Sequence, residues 1–215
     1  MVGHFTEAVG SVQAEPGPGP EFHDARVLKK AMCESIVTSP GSFLRTVADV
    51  EAMSAEYLNK EIDTSTWVVI QQLDNVVGLA VARWPDKVID CDIDQRRTRF
   101  IESVWIAPKF RGSRMGGRLV NYLMEVEHKK YRRVSHFKLW VFEENKHAIR
   151  MYERMRFKYT GKHCLEDGRI ELCYEYILPN VSIKRAVQRS HNVAARNGDR
   201  HRYGVTYRVL SPETL

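Results

Sequence analysis

At 215 residues and 24.9 kDa, with 43% apolar, 28% charged and 10% aromatic residues, the chain has the material for one large buried core and is too short for two full enzyme domains. Its net charge is +6, but residues 179–215 hold seven Lys or Arg against two acids, so the body is near neutral and its charge points to no polyanionic partner. No apolar run approaches the roughly 20 residues that span a bilayer, residues 1–10 lack the basic and apolar regions of a signal peptide, and Val2 stands where N-myristoylation needs glycine; the expectation is a cytoplasmic protein with no membrane partner.

Residues 1–22 include Glu15-Pro-Gly-Pro-Gly-Pro20, which fits neither a helix nor a central strand and reads as a linker, with room for a short strand near Val12. From Asp24 the apolar positions Val27, Leu28, Ala31 and Met32 keep helical spacing until Ser39-Pro40-Gly41, and a second helix is expected from Asp49 to Ile62. The period then changes to that of a hairpin, Trp67–Leu73 and Val76–Ala82 around a turn at Asp74-Asn75. A polar loop runs to Thr98. Phe100–Ile106 is the next strand, a glycine-punctuated turn at 111–117 opens a helix to Tyr131, Phe137–Phe142 is a strand, and Asn145–Met155 is a helix. Phe157–Cys164 pairs with Ile170–Leu178 across Asp167-Gly168, a dipeptide suited to a two-residue turn. With those two residues at its centre, Cys164 faces Glu171 and Cys173 faces Lys162, so the two thiols are not partners. Interleaved strands and helices without a repeat predict an α/β (α+β) fold around a mixed sheet. The four cysteines, Cys33, Cys91, Cys164 and Cys173, form no C-x-x-C pair, and neither a disulfide framework nor a metal site is expected.

The stretch Val104-Trp-Ile-Ala-Pro-Lys-Phe-Arg-Gly-Ser-Arg-Met-Gly-Gly-Arg-Leu119 carries the chemistry. A strand stops at a proline, turns through glycines and opens a helix, which aims free backbone N–H groups and a positive helix end at one spot, as a pyrophosphate requires. It is neither a G-x-x-x-x-G-K-[ST] loop nor a G-x-G-x-x-G fingerprint.

Arg111-Gly-Ser-Arg-Met-Gly116, preceded by Trp105-Ile-Ala-Pro108, resembles the Arg/Gln-x-x-Gly-x-Gly/Ala acyl-CoA loop of the GNAT superfamily of acetyl-CoA dependent N-acetyltransferases. Asn145-x-x-Ala148-x-x-x-Tyr152, followed by Phe157, is similar to that family's distal signature. The resemblance implies a GNAT-like, mostly antiparallel central sheet flanked by helices, with an acetyltransferase domain over 23–178, an N-terminal segment 1–22 and a basic extension 179–215. Arg114 departs from the family's glycine, and its backbone N–H remains usable if its φ is negative; Arg156 replaces the glycine before Phe157. Acetyl-CoA is the implied cosubstrate, without a metal. It is held by the backbone at Trp105 and Ile106, by the loop residues Arg111, Gly112, Ser113, Arg114, Met115, Gly116 and Gly117, and by Asn145.

The acceptor implied is a primary amine of a small molecule or a protein. An amine with pKa near 10.4 is only about 0.04% neutral at pH 7, so a base helps, and Glu102 is the candidate; the alternative is a strand carboxylate satisfied by a cation such as Arg99. Tyr152 is the implied acid for the leaving thiolate; alternatively it packs against Phe157 or Met155. Trp105 reads equally as core or as a pocket wall. Asp90-Cys-Asp-Ile-Asp94 lacks the Gly and Glu of a calcium loop and reads as a solvated acidic loop. The extension leaves room for a basic helix over 181–195 and a strand over Tyr203–Leu210 that pairs with a sheet edge. Nucleic acid is not an expected partner, and the reading is compatible with a homodimer. A second reading, from another class, is a fold that keeps coenzyme A without turnover and binds nucleic acid or protein through the tail.

Overall fold

The structure, a computed structural model, describes residues 23–87, 90, 93–179 and 204–211. The expectations for Val12, for the linker at 15–20 and for the helix over 181–195 lie outside these residues.

Helix α1 (His23–Thr38) buries Leu28, Ala31 and Met32 of the stripe that helical spacing singles out, while Val27 is only partly buried and Ala25, one turn before Leu28, joins the buried face. The single helix expected over 49–62 is two, α2 (Val47–Glu51) and α3 (Ala55–Thr64). The break has a local cause. Thr46 and Asp49 form a reciprocal capping box on α2, and the Ser54 side chain accepts from the Tyr57 N–H and starts α3 afresh.

Seven strands follow: β1 (Thr66–Gln72), β2 (Asn75–Arg83), β3 (Thr98–Ile106), β4 (His136–Phe142), β5 (Lys158–Cys164), β6 (Ile170–Ile177) and β7 (Val205–Val209). They form one sheet in the order β5-β6-β4-β3-β2-β1-β7, antiparallel except for the β3–β4 pair. The sheet is thus the mixed, mostly antiparallel one that the motifs imply, flanked by α1 to α3 and by α4 (Met115–Lys130) and α5 (Lys146–Arg154). β2 is buried on both faces. Trp105 and Arg83 face α1 and α3, while Gly78, Ile106 and Gly116 meet on the α4 side.

Two turns differ from expectation. Gln72 pairs with Asn75, so the first hairpin turns at Leu73-Asp74, one residue early; Leu73 is left-handed (φ 54°) and exposed. In the second, Cys164 pairs with Ile170, because the turn takes three residues, Glu166 to Gly168, with Gly168 left-handed (φ 83°). That is the turn-plus-glycine geometry that adds one residue to a two-residue connection. The same one-residue shift sets Cys173 opposite Gly161 instead of Lys162, and a bulge at Thr160 moves the register once more, so that Tyr159 faces Tyr174. The thiols remain apart.

β7 pairs antiparallel with β1 from Val68↔Val209 to Gln72↔Val205. Leu210 is buried, and its N–H donates to Trp67 O at 2.9 Å. The sheet therefore takes its last strand from the stretch read as a C-terminal extension. No helix among the described residues is long and apolar enough to cross a membrane.

Candidate active site

The site begins with a gap in the sheet. β3 and β4 are parallel neighbours, yet they pair only from Thr98↔His136 to Phe100↔Lys138. Beyond Phe100, β3 carries a bulge: Val81 pairs with Glu102 and Leu79 with Trp105, so Ser103 and Val104 together face Ala80, and Ser103 takes φ 53°. The bulge bends β3 away from β4. The β3 edge from Ile101 to Ile106 is left without a strand partner among the described residues, and each strand then leads into a helix.

After β3, a 3₁₀ turn (Pro108–Phe110) and the residues Arg111 to Arg114 lead to α4. Gly112 (φ 76°) and Arg114 (φ 64°) are both left-handed. The condition set on Arg114, a negative φ, is therefore not met. The consequence favours an anion, since left-handed residues alternating with ordinary ones turn successive N–H groups toward one concavity. From Gly112 to Gly117 the backbone N–H groups have no hydrogen-bond partner among the described residues, and α4 has no side-chain cap. The first helical bond is Arg118 N–H to Arg114 O.

The side chains of the loop are used differently from the backbone. Arg111 turns inward: its Nε donates to Ile106 O at 3.0 Å, and its Nη2 to Ser39 Oγ at 2.7 Å and Thr38 O at 3.3 Å. It thereby ties the end of α1 to the loop. Ser113 Oγ donates to Phe110 O, and Met115 is buried. Gly116 packs closely on α5, where a Cβ would sit 2.8 Å from Met151 Sδ and the methionine would have to shift; Gly117 has ordinary clearance from Met155. Trp105 is core. It is 3% exposed, and its Nε1 donates to Thr38 Oγ1 at 2.9 Å.

After β4, Asn145 caps α5, its side-chain oxygen accepting from the Ala148 N–H at 3.1 Å. Tyr152 lies two turns on. Its ring is buried against Phe157 (centroids 5.6 Å apart), which in turn meets Tyr176. Burial pushes the phenol well above its usual 10.0, and the hydroxyl has no hydrogen-bond partner among the described residues. The packing reading of Tyr152 thus holds for the ring, while the hydroxyl stays protonated and uncommitted. α5 ends with Arg156 N–H on Glu153 O and Phe157 N–H on Tyr152 O, and Arg156 itself adopts the left-handed cap (φ 69°).

Glu102 is half-exposed, on the face of the sheet that carries α1 and α3. Its cation is not Arg99 but Arg83, whose Nε lies 3.1 Å from Glu102 Oε2. Arg99 is fully buried and paired with Glu127 of α4. Sequence parity alone does not reveal this, because the Arg83–Glu102 contact runs diagonally across two strands. Glu102 lines a cavity of about 750 Å³ together with Arg83, Trp84, Asp86, Phe100 and Trp140. Withdrawal from water raises its pKa, Arg83 and Arg45 lower it, and Glu61 raises it. The sequence reading missed Trp140. Continuing the parallel register two residues past Phe100↔Lys138 sets it opposite Glu102 across the gap.

The Acetyltransferase (GNAT) family model matches residues 31–157, more than half of the chain. Over 98 residues the chain is 32% identical to the uncharacterised N-acetyltransferase MJ1207 of Methanocaldococcus jannaschii, a match that takes in 43% of this chain and 42% of that relative's length. Among solved structures, the ribosomal-protein-alanine N-acetyltransferase of Brucella melitensis superposes with a TM-score of 0.56 at 19% identity, over 72% of this chain and 96% of that one. The yncA protein of Salmonella typhimurium, solved with its cofactor acetyl-CoA, gives 0.57 at 16% identity, over 74% and 92%. At these identities the structural likeness is one of fold.

Proposed function

Because the chain belongs to the acetyltransferase (GNAT) family, we propose that it transfers an acetyl group from acetyl-CoA to a primary amine of a small molecule or a protein. The observation that carries this reading is the run of unpartnered N–H groups from Gly112 to Gly117, opening at the end of an unpaired strand edge whose wall bears Glu102.

These groups fit the cosubstrate. The N–H run and the positive end of α4 suit a pyrophosphate, which the exposed side chain of Arg114 is long enough to reach. The free edge of β3 at Trp105 and Ile106 suits an extended amide-bearing arm, and the Asn145 side-chain amide has its N–H₂ left to donate. Bound there, acetyl-CoA would supply the acyl group as an activated thioester.

The chain's own groups then handle the protons. Glu102, charged, takes a proton from the acceptor ammonium and leaves a nitrogen lone pair free to attack. A β3 backbone N–H stabilises the oxyanion. Tyr152 Oη gives its proton to the departing sulfur and regains one from the acylated nitrogen, which must shed its second proton, and Glu102 releases the first to solvent. A phenol buried with no acceptor for its hydrogen among the described residues suits that task.

Tyr152→Phe tests the assignment. It should lower kcat by about 10²–10⁴-fold, with a smaller change in the KM for acetyl-CoA, read by thiol release over a panel of amines. A kcat loss below about threefold would return Tyr152 to a packing role.

A further inference from the structure

Arg83, at the end of β2, is engaged from three sides. Its Nε faces Glu102 Oε2 at 3.1 Å, its Nη2 pairs with Glu61 of α3, and its guanidinium lies 5.4 Å from the centre of the Trp67 ring. In the β2–β3 register Val81 opposes Glu102 and Arg83 opposes Phe100, so Arg83 and Glu102 are diagonal neighbours on one face. A single guanidinium thus serves two carboxylates, and the trio keeps a net charge of −1 beside the cavity. Glu102 commits only Oε2; its Oε1 has no hydrogen-bond partner among the described residues.

We propose that Arg83 is the positioning residue of the transfer reaction: by bridging Glu61 and Glu102 it fixes the Glu102 carboxylate at the cavity and leaves Oε1 for the acceptor's proton. The inference rests on the reading of Glu102 as the base.

The electrostatics have a definite sign. Withdrawal from water pushes Glu102 toward its neutral form, Arg83 and then Arg45, from the segment before α2, oppose this, and Glu61 reinforces it. The other charged groups lining the cavity are Asp86, Lys87 and Asp90, from the segment after β2; β4 contributes Trp140, and the end of α3 contributes Thr64 and Ser65. Removing the guanidinium leaves burial and the Glu61 charge, which raise the Glu102 pKa, against Arg45, whose opposing influence is smaller than that of Arg83, so the base is protonated at a higher pH. Removing the Glu61 charge takes away a raising influence and gives Glu102 sole claim on Arg83, so its pKa falls.

The experiment is the pH profile of kcat/KM for the acceptor at saturating acetyl-CoA, in wild type, Arg83→Met, Arg83→Lys, Glu61→Gln and Glu102→Gln, with folding checked by circular dichroism and thermal melting. The acid limb should move up by about one pH unit or more in Arg83→Met, with the rate recovering at high pH. In Glu61→Gln it should move down. Arg83→Lys should fall between wild type and Arg83→Met, because one ammonium does not hold two carboxylates in the geometry of a planar fork. Should Arg83→Met fail to fold, Arg83→Lys and Glu61→Gln still predict shifts of opposite sign. If both move the limb the same way or leave it in place, while Glu102→Gln flattens it, Arg83 is only a tie between α3 and the sheet and the proposal falls. An acid limb that survives in Glu102→Gln overturns the base assignment, and the role of Arg83 with it.

Discussion

Arg114 and Arg156 both occupy backbone conformations that glycine adopts freely, at φ 64° and 69°. A side chain there costs on the order of 1 kcal/mol, yet the two positions differ in what they offer. Arg156 closes α5 with the paired bonds of a left-handed cap and faces solvent. Arg114 sits before α4, where its N–H stands beside the proposed phosphate site and its exposed side chain is long enough to reach it. Two substitutions separate the contributions. Arg114→Gly keeps the N–H and relieves the backbone, so it should hold coenzyme A affinity within a few-fold and raise stability slightly. Arg114→Glu puts a negative charge at the positive end of α4 and should weaken binding by about tenfold or more. Isothermal titration with coenzyme A reads both. A tenfold loss in Arg114→Gly would mean that the guanidinium, and not the backbone, is the main contact. Gly116 is a poorer probe, because its missing Cβ points at Met151 and a side chain there would displace that methionine as well as meet the cofactor.

β7 works as a clasp on the first helix. Arg208 pairs with Asp24 of α1 and donates from Nε to Gln71 Oε1 at 3.0 Å. The Ser211 N–H donates to the second Asp24 oxygen at 3.0 Å, and Tyr207 packs against Tyr122 of α4 at 5.3 Å. Asp24 is 7% exposed, so its carboxylate depends on these partners. Asp24→Ala should cost about 1–3 kcal/mol, seen as a lower urea midpoint. A chain ending at residue 203 should lose more, since it also uncovers the β1 edge and the apolar surface under Leu210. An unchanged melting temperature on that truncation would show β7 to be dispensable.

The molecule as a whole is organised around the divergence of β3 and β4. Just where the two strands still pair, at Arg99↔Phe137, a fully buried Arg99–Glu127 ion pair joins β3 to the last turn of α4. Arg99 Nη2 also donates to Ala82 O at 2.8 Å, and its guanidinium lies 4.2 Å from the centre of the Trp84 ring, which meets Tyr131 edge-on. The closed end of the cleft is thus pinned by charge and by stacked planes, while the open end is not. Glu127→Ala would leave a guanidinium buried without its counter-charge and should cost about 3–5 kcal/mol in urea unfolding. Pairing it with Arg99→Met should recover most of that loss, because two apolar side chains need no partner. A single variant as stable as wild type would show that the pair contributes nothing to the fold.

What the sequence alone determined is local. Helical spacing marked most of the buried stripe of α1, apolar runs bounded by turn residues marked the strands, and the order of proline, glycines and apolar residues after Ile106 marked a strand-to-helix turn with an anion-shaped start. Each depends on contacts a few residues apart, which side-chain periodicity reports directly. Long-range pairing decided the rest. The Ser103 bulge carries no sequence signal, yet it follows Glu102 directly and lies where the sheet opens. The choice of Arg83 over Arg99 depends on which strand lies beside β3 and in what register. One extra residue in the turn before β6 moved every partner of β5, since a shift of one position changes which side chains face each other. The left-handed form of Arg114 and the seat of β7 on β1 are likewise set by what the rest of the chain brings next to them, because strain at one residue is held in place by packing that lies far away in sequence.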